Sequence, residues 1–86
     1  MTSQEVEHLK QRAQEMLDDY VQHEKFDFYL KVLGEHDWQD DLLQLVAVPD
    51  REGVPADEYV EALLAVERKL CRKENANVVL VPALVD

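Results

Sequence analysis

The chain has 86 residues and carries 19 acidic side chains against 9 basic ones, for a formal charge of −10. One small domain spanning residues 1–86 is the expectation, with a thin core, since a chain of this size buries only about 60 to 65% of its unfolded surface. The acid excess argues against direct binding to DNA, RNA or anionic lipid, because each phosphate contact calls for a cation, and it leaves another protein, a basic one, as the complementary class of partner.

No segment reaches the roughly 18 consecutive apolar residues that would span a bilayer, so no membrane association is expected. Met1-Thr2-Ser3-Gln4-Glu5 is polar and acidic, where a secretory signal needs basic residues followed by an apolar stretch. The single cysteine, Cys71, cannot form an internal disulfide and fits a reducing compartment. A cytoplasmic protein is the resulting expectation.

The first helix opens with Thr2 and Glu5 at the spacing of a capping box. Val6, Leu9, Ala13, Met16, Leu17, Tyr20 and Val21 recur at three- and four-residue steps and form one apolar stripe, ending near residues 22–25. Residues 26–33 satisfy two periods. Phe26, Phe28, Leu30 and Val32 alternate as in a strand, and Phe26, Tyr29, Leu30 and Leu33 also fit a helix; the aromatic and β-branched content favours the strand. Residues 34–41, Gly34 through Asp41, then read as a loop, and antiparallel pairing with residues 42–48 follows.

Leu42 to Val48 and Val78 to Val81 are short apolar runs bounded by turn residues, the signature of strands buried on both faces and hence of a parallel pair. Between them a loop, Pro49 to Val54, leads to Pro55, which suits the first position of a helix. That helix carries Tyr59, Val60, Leu63, Leu64, Val66, Leu70 and Cys71 on its apolar side. Asp57, Glu58 and Glu61 stand near its start and Arg68, Lys69, Arg72 and Lys73 near its end, complementing the helix dipole. Pro82 limits the last strand, with residues 83–85 continuing along an edge. The fold class is α/β with α+β character: α-β-β-α-β, two helices on one face of a small three-stranded mixed sheet containing a parallel β-α-β unit.

No set of residues has the types and spacing that a reaction, cofactor or metal requires, so no enzyme is expected. His36, Asp37, Asp40 and Asp41 lie close in sequence but lack the alternating acids and central glycine of a calcium loop, and read as a solvated acidic turn. His8 and His23 fall on different helical faces. Asp27, between two phenylalanines, points away from them if it sits on a strand. Cys71 reads as a packed thiol. The turn after Val48 has one glycine and four nearby acids, which is unsuited to phosphate.

What remains is a small non-enzymatic interaction or regulatory module. The candidate partner-binding residues are Trp38, Asp37, Asp40 and Asp41 around the 34–41 loop and Arg68 and Arg72 in the basic helix terminus, with an exposed sheet edge as a route to a homodimer. A second reading is an inhibitor that mimics nucleic acid, with Glu5, Glu7, Glu15, Asp18, Asp19 and Glu24 standing in for phosphates.

Overall fold

In the computed structural model, which describes residues 2–82, the chain runs α1 (Ser3–Glu24), β1 (Leu30–Gln39), β2 (Leu42–Pro49), α2 (Ala56–Glu74) and β3 (Val78–Pro82). The expected continuation of the last strand through 83–85 lies outside the described residues. The sheet order is β1-β2-β3, with β1 and β2 antiparallel and β2 and β3 parallel. Two helices and a three-stranded mixed sheet in α-β-β-α-β order match the sequence expectation.

Thr2 caps α1, its Oγ1 accepting from the Glu5 backbone N–H at 3.2 Å. The Glu5 carboxylate accepts from the Thr2 hydroxyl instead of reaching the cap amide, so half of the capping box forms. At the other end Lys25 adopts φ 58° and closes a Schellman motif: Lys25 N–H donates to Gln22 O and Phe26 N–H to Val21 O. Pro55 precedes α2 as its cap residue, one position earlier than expected, and Asn75 at φ 50° ends it.

Residues 30–33 are strand as expected and begin β1, but the left-handed Lys25 turns the chain first, which corrects the assignment of 26–29. Residues 26–29 are loop. Their aromatic rings close one end of the helix layer: Tyr20 meets Phe26 edge-on at 6.0 Å, Phe26 stacks on Phe28 at 5.0 Å, and Phe28 meets Tyr59 at 6.5 Å. Residues 34–39 are the converse correction, since β1 continues through them to a two-residue turn, Asp40-Asp41. Asp40 takes the positive φ, 56°, that tight hairpin turns demand and that aspartate tolerates better than most residues. A register shift between Val32 and His36 absorbs the surplus residues of β1.

Leu17 and Val21 of α1, Leu30 of β1, Leu43 and Leu45 of β2, Leu63 and Leu70 of α2 and Val78 of β3 are fully buried and form the centre of the core. Each such side chain contributes about 1.5 to 3 kcal/mol of transfer free energy. Leu64, expected on the apolar side of α2, is instead 44% exposed. Both helices lie on the same side of the sheet, and the molecule is 18 Å across its thinnest dimension, the depth of two layers.

Candidate functional site

Burial along β2 alternates strictly: Leu43, Leu45 and Ala47 are buried, while Leu42, Gln44, Val46 and Val48 are only partly covered. Register extends that division across the sheet. Trp38 pairs with Leu43, His36 with Leu45 and Val32 with Ala47 on the helix side, whereas Asp37 pairs with Gln44 and Lys31 with Val48 on the other. In β3, Val78 and Leu80 face the helices, and Val79 and Val81, opposite Gln44 and Val46, face away. Strands buried on both faces were the expectation, and the structure corrects it. Among the described residues no element covers Leu42, Val46, Val48, Val79 and Val81, which are partly buried and lie outside the core cluster.

Part of each edge of this sheet is occupied by its own helices. Gln14 of α1 lies along β1, its Oε1 accepting from Val32 N–H at 2.7 Å and its Nε2 donating to Leu30 O at 2.8 Å. Lys10 Nζ donates to Gly34 O at 2.6 Å, one step further along. On the opposite edge, Glu67 of α2 accepts from Leu80 N–H at 3.0 Å, the Cys71 thiol donates to Val78 O at 3.1 Å, and Pro82 has no N–H to offer. Unpaired strand edges invite pairing with other chains, and side chains satisfying their groups remove that invitation. Cys71 is thus partly buried and engaged.

Trp38 is 40% exposed and stands on the helix side of the hairpin tip, on a strand and not in a loop. With His36, Asp40, Asp41, Thr2, Ser3, Val6 and Glu7 it lines an open cleft of about 460 Å³ beside the start of α1. Asp37 is turned to the other face, its carboxylate accepting from Trp38 N–H at 2.8 Å. Strand alternation therefore separates His36 from Asp37, and among the described residues no three His, Cys, Asp or Glu side chains converge as ligands would. Nor is any polar or charged side chain among them buried, the environment a proton-transferring carboxyl needs.

The remaining sequence candidates lie apart from that cleft. Arg68 and Arg72 are exposed one turn apart on α2, and neither lines it. Asp27 is an exposed loop residue paired with Arg51 at 2.7 Å. His8 pairs with Glu74, which also accepts from Arg12 Nε at 3.2 Å and so ties the end of α2 to α1. The acids of α1 do not form a free row: Glu7 pairs with Lys10, Glu15 with Arg12, and Asp18 accepts from Gln14.

A second cleft, about 630 Å³, opens between α1 and α2 at Met16, Asp19, Tyr20, His23, Ala65 and Lys69. Burial raises the pKa of the Tyr20 phenol here, and the carboxylates of Glu24 and Glu61 push it the same way.

The surface that sequence reasoning missed is the open sheet face. Its signal was present, since Val46, Val48, Val79 and Val81 are apolar at positions where a one-sided sheet carries polar residues. Comparison with protein-family models, curated proteins and solved structures found no match.

Proposed function

We propose that this chain is a small, non-enzymatic protein-binding module that docks a basic protein on the open face of its sheet. The carrying observation is the row of five half-buried aliphatic side chains, Leu42, Val46, Val48, Val79 and Val81, over which no element among the described residues packs, on the side of the sheet away from both helices. A contiguous apolar patch bounded by polar residues is a usual mark of a binding surface. The charge of −10 supplies the preference for a cationic partner and for rapid encounter with it.

The nucleic-acid mimic is the weaker reading. A surrogate phosphate row has to be unneutralised and to share one face, whereas Glu7 and Glu15 are paired within α1 and the six acids are distributed around the helix. Homodimer formation through an edge is likewise less favoured, because Leu30, Val32 and Gly34 on one side and Val78 and Leu80 on the other already have side-chain partners.

The test is native affinity capture with the intact chain and with a Val46→Asp/Val79→Asp variant as parallel baits. A defined protein held by the first and lost by the second supports the reading. Capture that is unchanged by the substitutions, or no retained protein at all, sinks it.

A further inference from the structure

We infer that the occupant of the open sheet face is a single amphipathic α-helix of about five turns, aliphatic in its middle and carrying lysine or arginine at both ends. This rests on the docking reading above and specifies its ligand. Three observations lead to it.

The first is that strand addition is obstructed along β3 and along the first half of β1. Gln14 and Lys10 hold the outward groups of Leu30, Val32 and Gly34, and Glu67 and Cys71 hold those of Leu80 and Val78. Alongside β3 and the first half of β1, a partner is therefore directed to the face and away from extending the ladder.

The second is dimension. Eight residues of β2 extend ~26 Å and three strands span ~10 Å between outer axes. One helix is ~10 to 12 Å across, and 17 residues of it measure ~26 Å. The face accepts one such helix along the strands.

The third is charge placement. Asp37, opposite Gln44, stands at the hairpin end of the face, while Asp40 and Asp41 of the turn line the cleft on the helix side; Asp50, whose carboxylate accepts from Tyr29 N–H, and Glu52 follow β2 at the other end, and Arg51 between them is paired with Asp27. Between the two ends the residues are Leu42, Val46, Val48, Val79 and Val81, with Gln44 central and Lys31 at the β1 margin. A helix with cations at both termini meets acids at both. A second copy of the chain does not, because stacking two such faces in either strand direction sets acids against acids and joins two bodies of charge −10.

The experiment uses the whole chain and two 17-residue probe peptides with the same leucine stripe, one ended in lysines and the other in glutamates. Binding is read by fluorescence anisotropy at low and moderate salt. The lysine-ended peptide is expected to bind at least tenfold tighter than the glutamate-ended one. It should also lose at least tenfold on Val46→Asp/Val79→Asp, although those substitutions make the chain more acidic; simple charge attraction predicts the opposite change. Equal or tighter binding to that variant overturns the inference.

If the variant does not fold, amide shift mapping on the unmodified chain decides: peptide-induced shifts in β2 and β3 support the helix, and shifts confined to α1 and α2 reject it. A dimer in sedimentation, dispersed by the same substitutions, assigns the face to a second copy and also rejects it. Should both peptides fail while the capture experiment retains a partner sensitive to Val46 and Val79, the docking face stands and only its helical ligand is wrong.

Discussion

Gln14 and Val32 are 18 positions apart in sequence, yet the Gln14 side chain serves the Val32 backbone as a neighbouring strand would, accepting its N–H at 2.7 Å while donating to Leu30 O at 2.8 Å. Replacing Gln14 with Ala leaves both groups to water or to another chain. The expected loss is about 1 to 2 kcal/mol in urea unfolding. Gln14→Glu keeps the acceptor for Val32 but sets a carboxylate against the Leu30 carbonyl, so it should recover only part of that loss. Equal stability of all three proteins would mean that the edge contact contributes nothing.

Adjacent residues on β2 should respond very differently to the same charge. Leu45 is fully buried and Val46 lies on the open face. Leu45→Asp places a carboxylate in the core and should destabilise by more than about 3 kcal/mol, enough to unfold a domain of this size. Val46→Asp should change stability by about 1 kcal/mol or less, mostly through strand preference. Circular dichroism melts of the two variants test the division of faces directly.

Two helix ends carry side chains in left-handed backbone. Lys25 sits at φ 58° and Asn75 at φ 50°. Glycine removes the clash of the β-carbon there, so Lys25→Gly should stabilise by about 0.5 to 1 kcal/mol. Asn75→Gly should give less, since asparagine already tolerates this region. A larger gain at Asn75 than at Lys25 would contradict the account.

Tyr20 makes stability depend on alkaline pH. Its phenol is raised above its usual value, first by burial and then by Glu24 and Glu61, so the folded protein holds the proton where the unfolded chain has released it. The resulting contribution is complete below about pH 10, the ordinary phenol value, and is lost as pH climbs through the folded one. Unfolding midpoints measured across that range should fall for the unmodified chain more steeply than for Tyr20→Phe. Absorbance titration of the phenolate should show Tyr20 ionising above the ordinary phenol value.

Much of the fold is legible in the residues because local and global preferences agree there. Thr2 starts a helix whose stripe faces the core, and two aliphatic runs flank a helix with acids first and bases last. The misreadings arise where one pattern admits two causes. Phe26 and Phe28 alternate as strand residues do, but they are spaced to plug the end of two helices. Residues 34–39 carry no strand pattern of their own; their pairing is imposed by the Asp40-Asp41 turn and by Leu42 to Leu45 opposite. Trp38 consequently lands beside the start of α1, which spacing along the chain does not reveal. Aliphatic residues on both sides of β2 and β3 imply two covered faces, and among the described residues only one is covered.

The two pairings of the central strand differ in how far the chain must travel to make them. Gln39 meets Leu42 across two residues, whereas Leu43 meets Val78 across a segment that contains all of α2. Closing the short loop loses little entropy and closing the long one loses more, recovered only when α2 packs. During refolding, amide protection should therefore arise in the hairpin before it arises between β2 and β3, and the parallel pair should be the last part of the sheet to assemble and the first to open.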